Sequence, residues 1–336
     1  MLKMKMLNKL LVVVSCFLFS FFTDASNSED YKPLIKQNKY DEFNISGFID
    51  TIRTREIPLK LYLPKKNTPS PVILYSHGLG GSKEGSRYLG EHWASRGYIV
   101  VYLQHPGSDI SVWQNIPKKR KLKRLRAIIK AANAENFVLR VGDVYAVLDQ
   151  LNNWNETPDH QFNNIFDLTK IGMSGHSFGA QTTQAVSGQK LTGIGEESKD
   201  KRINAALLMS PSIQDFSTKE DFESISIPWM IMTGTKDSVR GIGSNNDAEA
   251  RLEVFSALPF GNKYELVLNE ARHYAFTDIN LMNRSESRNP NHHEAILALS
   301  TAFWDAYLRA DKQAREWLDG EGPSSILETK DSWQTK

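Results

Sequence analysis

Residues 171–181 read Ile-Gly-Met-Ser-Gly-His-Ser-Phe-Gly-Ala-Gln, and this segment decides the fold. Its first half is typical of a buried strand, and its second half, from Phe178, favours a helix. Between the two halves, Gly175-His176-Ser177-Phe178-Gly179 matches the pattern G-x-S-x-G. Glycine on both sides lets a tight turn close without a clash between Cβ atoms and neighbouring strands. The segment therefore predicts a strand, a strained turn that exposes the hydroxyl group of Ser177, and a helix.

Apolar strands alternate with helices on both sides of this segment. Short apolar runs, of the kind found in strands buried on both faces, occur at residues 72–75, 98–103, 169–174, 204–209, 228–233 and 263–268. Helical patterns occur at residues 86–96, 134–154, 245–257 and 292–310, and from residue 178. Half-buried strands at residues 48–52 and 59–63 precede them. We expect an α/β fold with a mostly parallel central sheet flanked by helices and with an N-terminal β-meander.

The composition predicts one large globular domain. The chain has 336 residues, of which 40% are hydrophobic and 24% charged, and these values exclude disorder, collagen and coiled coil as the main class. A formal net charge of +2 gives no indication of nucleic-acid binding. We place the domain at residues 45–319, between a polar N-terminal arm at 26–44 and a polar tail at 320–336. The oligomeric state is left open.

The first 25 residues have the pattern of a signal peptide. Three lysines precede an apolar run at residues 10–22, and polar residues follow. The run is shorter than the roughly 20 residues that span a bilayer, so export to the periplasm or the outside is expected, with a retained anchor or lipidation at Cys16 as minor alternatives. Cys16 is the only cysteine. Cleavage near residue 25 would remove it, which excludes disulfides and cysteine chemistry from the mature chain.

A serine hydroxyl group needs a general base to become a nucleophile, and the base needs an acid that orients it. The expected chain order is serine, acid, histidine. Asp237 is the candidate acid, because it lies in the loop after the apolar strand at 228–233; its competing interpretation is a helix cap. Asp215, which follows the preceding strand, is the alternative acid. His273 is the candidate base, because it follows the last apolar strand.

The remaining histidines are expected to be structural. His77 precedes a glycine in a turn, and His176 is the variable residue of the G-x-S-x-G pattern. The others have no strand-end context for a base: His92, His105, His160, His292 and His293. The adjacent pair among them could bind a metal, but neighbouring helical residues face apart. We expect neither a metal nor a cofactor.

Acyl transfer also requires hydrogen-bond donors that are aimed at the developing oxyanion. The first candidate donor is the backbone amide of Phe178, the residue after Ser177. The second is the amide of Leu79, in the turn Ser-His-Gly-Leu-Gly-Gly at residues 76–81, which follows the strand at 72–75. Its glycines let the backbone approach a substrate closely.

Three segments together resemble the α/β-hydrolase superfamily. They are the turn around Ser177, the turn at 76–81, and Trp-Ala-Ser-Arg-Gly-Tyr-Ile-Val-Val at 93–101. The resemblance covers about residues 45–318 and is greatest for platelet-activating-factor acetylhydrolase-like and dienelactone-hydrolase-like bacterial proteins. It implies an ester hydrolase with a Ser-Asp-His triad and no cofactor, and it gives the oxyanion roles to Leu79 and Phe178. Dienelactone hydrolases have a cysteine nucleophile where this chain has a serine, so the resemblance indicates the chemistry rather than that substrate.

The expected function is hydrolysis of carboxylic esters through an acyl-enzyme intermediate. A phospholipid or lipid acyl hydrolase that acts at anionic interfaces is the alternative within the enzyme class. A catalytically silent binding protein is the alternative outside it. The expected partner is a small-molecule or lipid ester, and no nucleic acid.

A basic segment lies at the expected catalytic end of the sheet, within an excursion at residues 105–131. Residues 118–130 contain eight lysines and arginines and no acid, interleaved with apolar residues at helical spacing. We consider three interpretations: a lid, a contact with an anionic membrane surface, or a solvated face whose apolar side packs on the domain. Trp113, next to this segment, is the candidate substrate-binding residue, and Phe178 could line the same pocket.

Overall fold

The structure is a computed structural model that describes residues 31–46, 48–191, 198–213, 217–239, 247–278 and 289–336. The expected signal peptide and the alternative acid Asp215 lie outside the described residues. Within the described ranges, no helix is both long enough and apolar enough to span a bilayer.

Strands and helices alternate along most of the chain. The strands are β1 (Tyr40–Ile45), β2 (Ile49–Asp50), β3 (Arg55–Glu56), β4 (Leu59–Pro64), β5 (Ser70–Ser76), β6 (Ile99–Leu103), β7 (Phe166–His176), β8 (Ile203–Met209), β9 (Trp229–Lys236), β10 (Lys263–Arg272) and β11 (Ser332–Thr335). The helices are α1 (Arg87–Ser95), α2 (Lys121–Ala131), α3 (Ala134–Glu156), α4 (Phe178–Val186), α5 (Ala248–Ala257), α6 (Pro290–Leu308) and α7 (Lys312–Asp319).

Nine of these strands form one sheet in the order β1-β4-β6-β5-β7-β8-β9-β10-β11. The six strands from β6 to β10 in this order run parallel. The strands on the two flanks pair antiparallel to their neighbours. Strands β2 and β3 form a separate hairpin. The expected α/β architecture, with a mostly parallel sheet and antiparallel N-terminal strands, is confirmed.

Helices cover both faces of the sheet, which explains why the central strands are continuous apolar runs. Along β5, Val72 and Leu74 pack with residues of α3, while Ile73 and Tyr75 pack with residues of α1 and α6. The two-residue period of a strand sends successive side chains to opposite faces. Every side chain of β5 is therefore buried.

The folded part extends beyond both boundaries that the sequence suggested. Strand β1 begins within the expected arm at 26–44, and Tyr31 is buried, with its hydroxyl group donating to Asp305 Oδ2 over 2.6 Å. Strand β11 lies within the expected tail, where Trp333 stacks on Tyr264 at 5.5 Å. Both are edge strands of the sheet. They look polar in the sequence because edge strands are partly exposed and need no continuous apolar run.

The turn between β7 and α4 is strained, as the sequence predicted. Ser177 has φ 56° and ψ −118°, and α4 begins at the next residue. A Cβ atom added at Gly175 would lie 2.2 Å from the carbonyl oxygen of Gly179, and one added at Gly179 would lie 1.9 Å from that of Ser76. Only glycine fits at these two positions. The pair brings the start of α4 against the end of β5.

We predict that Gly179→Ala lowers the free energy of unfolding by roughly 2 kcal/mol or more, because overpacking at a site that cannot relax costs about 1–3 kcal/mol. Gly85→Ala is the matched control, since a Cβ atom there would meet its nearest neighbour, the carbonyl oxygen of Ser82, at 3.4 Å. Chemical denaturation of both variants is the measurement. An equal loss of stability in the two variants would contradict the steric explanation.

Candidate active site

Three side chains that the sequence singled out meet at the carboxyl ends of parallel strands. Ser177 follows β7, Asp237 follows β9 and His273 follows β10. The distance from Ser177 Oγ to His273 Nε2 is 2.9 Å, and the distance from His273 Nδ1 to Asp237 Oδ1 is 2.7 Å. With Asp237 ionised, Nδ1 carries the proton and Nε2 accepts from the serine hydroxyl group. The arrangement can move a proton away from Ser177.

Asp237 is fully buried and ionised. Burial alone would raise the pKa of this carboxyl group, but the nearby charge of Arg251 and the hydrogen bond from His273 outweigh burial and hold the pKa well below its usual range. Thr233 Oγ1 donates to Asp237 Oδ2 over 3.0 Å. The carboxylate therefore keeps its charge and a fixed orientation towards His273.

Arg251 is a member of this cluster that sequence reasoning missed. Its side chain is buried; Nε donates to the backbone carbonyl of Asp237 over 2.7 Å and lies 3.1 Å from Asp237 Oδ1. Nη1 donates to the carbonyl oxygens of Ser210 and Pro211. One guanidinium group thus joins α5 to the loop of the candidate acid and to the loop after β8. No local sequence signal marks such a residue.

His273 has a lowered pKa. Burial is the main cause; the charge of Asp237 acts in the opposite direction, and Arg251, with Nη2 at 3.4 Å from His273 Nδ1, lowers the pKa further. His176 Nε2 donates to the backbone carbonyl of His273 over 3.0 Å, and burial lowers the pKa of His176 to about 3. His273 is therefore neutral near pH 7, as a general base must be.

The turn that carries Leu79 lies beside Ser177. The amide of Gly81 donates to the carbonyl of Gly78 over 2.9 Å, and Gly80 has φ +71°, which suits glycine at the third position of a type II turn. A Cβ atom added at Gly78 would lie 3.4 Å from Ser177 Cβ. In the described ranges, no hydrogen bond uses the amide of Leu79 or of Phe178.

Arg140, on α3, is a second buried arginine that sequence reasoning missed. Nη2 donates to the backbone carbonyl of His77 and, over 2.9 Å, to Ser76 Oγ. Nε donates to Thr182 Oγ1 on α4 over 3.1 Å, and the guanidinium group lies 4.7 Å from the ring centre of Phe178. Burial lowers the pKa of Arg140 to about 9. One guanidinium group therefore contacts both segments that carry the candidate oxyanion donors.

A second Ser-His-Asp arrangement contacts Arg140 through Ser76. Ser76 Oγ lies 2.9 Å from His105 Nε2, and His105 Nδ1 lies 2.9 Å from Asp143 Oδ2. Burial raises the pKa of Asp143, but bonds from His105 and Arg55 outweigh it and lower the pKa to about 2; burial lowers the pKa of His105 to about 4. All three members are fully buried, so no substrate can reach this serine.

Trp113 contacts the turn of Leu79 and the basic helix α2. Its indole Nε1 donates to the carbonyl oxygen of Gly80 over 2.8 Å, and the guanidinium group of Arg124 lies 5.0 Å from its ring centre. A Cβ atom added at Gly80 would lie 3.3 Å from Ile128 Cγ1. The excursion at 105–131 therefore packs directly on the turn. A contact of Trp113 with substrate stays a prediction.

No group of three or more histidine, cysteine, aspartate or glutamate side chains that could hold a metal ion occurs among the described residues. The adjacent histidines in α6 have other contacts. His292 Nε2 donates to the carbonyl of Asn269 over 3.0 Å, and the ring of His293 stacks on Tyr88 at 3.7 Å.

Two characterised proteins are similar to this chain. Cutinase est1 of Thermobifida alba is 21% identical over 216 residues, which cover 64% of this chain and 57% of the cutinase. Platelet-activating factor acetylhydrolase of Cavia porcellus is 23% identical over 312 residues, which cover 81% of this chain and 66% of that protein. The chain thus spans less than two thirds of either relative. No protein-family model matches the chain. Together with the sheet order, these similarities show the α/β-hydrolase fold.

We predict that Arg251→Met raises the pKa of His273, because removal of a nearby cation favours the protonated imidazole. The measurement is NMR titration of the His273 ring, with circular dichroism as the check of folding. Arg251→Lys is the matched control, since it keeps the charge and should leave the pKa close to that of the wild type. An unchanged or lower pKa in folded Arg251→Met would contradict this account.

Proposed function

We propose that the protein is a serine hydrolase that cleaves carboxylic esters through an acyl-enzyme intermediate. The observation that carries the proposal is the hydrogen-bonded series Ser177, His273 and Asp237, with the serine on a strained turn at the start of a helix. A serine in this position has a base within reach and a helix N-terminus beside it, which favours negative charge. The names of the two similar proteins, a cutinase and an acetylhydrolase, also support a hydrolase.

The first half of the reaction forms the acyl-enzyme. His273 Nε2 takes the proton of Ser177 while Oγ attacks the ester carbonyl carbon and the carbonyl oxygen becomes an oxyanion. The amides of Leu79 and Phe178 donate to this oxyanion, and Asp237 stabilises the imidazolium that forms. The tetrahedral intermediate then collapses, the C–O bond to the alcohol breaks, and the imidazolium protonates the leaving alkoxide.

The second half releases the acid. His273 removes a proton from water, and the resulting hydroxide attacks the acyl carbon. Collapse of the second intermediate breaks the bond to Ser177 Oγ, which recovers its proton from the imidazolium. The carboxylic acid leaves, and the enzyme returns to its starting state without a cofactor.

The site of action that we propose is outside the cytoplasm, on the strength of the signal-peptide pattern in the first 25 residues. Lipid acyl hydrolysis at an anionic interface is the second candidate function. The observation that favours it is the basic helix α2, which packs on the turn of Leu79 through Trp113.

A fluorophosphonate probe tests the nucleophile. We expect the wild type to be labelled and to turn over short-chain esters, and Ser177→Ala to lose both labelling and turnover while it stays folded. Ser174→Ala is the matched control, because this serine is buried in β7, the strand that precedes Ser177, and its hydroxyl group has no partner among the described residues. Labelling that persists in Ser177→Ala would show that another residue is the nucleophile. A folded wild type that is never labelled would favour the silent binding protein.

Arg140 is expected to be a positioning residue for the oxyanion donors. We predict that Arg140→Met lowers kcat/KM by roughly a hundredfold, the order expected when a donor is misplaced, with most of the loss in kcat. Arg140→Lys should recover only part of the activity, because lysine keeps the charge but loses the planar fork.

The affinity of a boronic acid that mimics the tetrahedral intermediate distinguishes positioning from general damage. It should fall in parallel with kcat/KM while KM changes little. Ser108→Ala, which removes one acceptor of Arg140, should give a smaller loss in the same direction. Full kcat in a folded Arg140→Met protein would disprove the role.

A further inference from the structure

We propose that the exposed basic face of α2 and of the residues before it docks the protein on an anionic phospholipid surface. The docking itself does not depend on the proposed function. Its role, which is to present lipid esters to Ser177, rests on that function. The cationic face is defined here as Lys118, Lys119, Arg120, Lys121, Lys123, Arg126 and Lys130, all of which are exposed.

The charge of this face is not balanced by ion pairs within the described part of the chain. In the described part of the chain, no carboxylate forms an ion pair with any of its seven members. Several surface cations elsewhere do form ion pairs: Arg87 pairs with Glu42 and Glu91, and Lys65 pairs with Asp41. Seven cations in a short segment, with no ion-pair partner among the described residues, raise the local potential, which attracts anionic surfaces and decays within about a Debye length, roughly 10 Å at 0.1 M salt.

An apolar side chain lies among these cations. Leu122, in the first turn of α2, is 71% exposed, while Leu125, Ile128 and Ile129 further along the helix are half-buried. A soluble polyanion offers phosphate or sulfate groups but no hydrocarbon for such a residue to enter. A phospholipid surface offers both, and a basic helix with exposed leucine is typical of segments that lie at this interface. These features favour a lipid surface over a soluble polyanion.

The position of α2 connects docking to chemistry. The helix packs through Ile128 and Arg124 on Gly80 and Trp113, and Gly80 is the neighbour of Leu79 in the turn beside Ser177. The segment that precedes α2 is fixed to the same turn, because the amide of Gly80 donates to the carbonyl of Ser108 over 2.8 Å. A surface bound to the cationic face therefore lies next to the proposed oxyanion donors, where the ester carbonyl must be placed.

Cosedimentation with vesicles tests the proposal. The vesicles contain phosphatidylcholine alone or phosphatidylcholine with phosphatidylglycerol. We expect the wild type to bind only the second kind, and to lose binding as salt is raised. Replacement of Lys118, Lys119, Lys121 and Lys123 by glutamine should weaken this binding at least about tenfold. Leu122→Ser should also weaken it without any change of charge.

The matched control replaces four exposed lysines outside the cationic face. They are Lys36, Lys201, Lys219 and Lys330, which form no ion pair with a carboxylate among the described residues and whose replacement by glutamine gives the same change of net charge. This variant should bind vesicles as the wild type does. Turnover of a soluble short-chain ester should be unchanged in every variant. Hydrolysis of an ester carried in vesicles that contain phosphatidylglycerol should fall only in the fourfold glutamine variant of the cationic face and in Leu122→Ser.

Three results would overturn the docking proposal. They are binding that does not depend on phosphatidylglycerol, an equal loss in the control variant, and binding to heparin without binding to vesicles, which would indicate a soluble polyanion. Failure of the proposed function would look different. Ser177→Ala should still bind the vesicles, and a wild type that binds them without reacting with the fluorophosphonate probe would leave docking intact and remove the hydrolase assignment.

Discussion

The contact between Gly179 and the carbonyl oxygen of Ser76 is the constraint on which the rest of the site depends. It places the start of α4, which is Phe178, against the end of β5 and so brings the turn of Leu79 beside Ser177. Any larger residue at 179 would push the helix away from the strand. The same contact holds the strained backbone of Ser177, because the close packing of Gly175 and Gly179 leaves the turn no room to relax.

Buried charge then fixes the loops that this contact brings together. Burial of an arginine destabilises the fold unless hydrogen-bond acceptors satisfy its N–H groups. Removal of one of those acceptors leaves the buried charge without a partner, which is strongly destabilising. Arg140 satisfies its donors on Ser76, His77, Ser108 and Thr182, and Arg251 uses the loops after β8 and β9. A change in the conformation of any of these loops would therefore remove a hydrogen-bond acceptor from a buried guanidinium group. This coupling gives one geometry to groups that come from distant parts of the chain.

Every central strand could be predicted from the sequence, because each is an apolar run. Ser177, Asp237 and His273 could be predicted because each follows the end of such a run. It did not allow a prediction of β1 or β11, whose exposed faces carry polar residues. Arg140 and Arg251 were also missed. Each lies in an ordinary helix, and its partners are far away along the chain, so only the packed structure shows that its charge is buried. Local hydrophobic patterns therefore predict buried strands well, but they do not predict hydrogen bonds between polar residues that are far apart along the chain.

The same topology explains why chemistry and the cationic face share one edge of the sheet. Parallel strands bring all their following loops to the same edge, and the excursion after β6 is one of these loops. The chain has 41 lysines and arginines and 39 aspartates and glutamates, and eight of these bases lie in residues 118–130. Outside this segment 33 bases face 39 acids, so the basic edge is balanced by an excess of acid elsewhere in the chain. In the field of an anionic surface, such a charge distribution turns the basic edge towards the surface and the rest away from it.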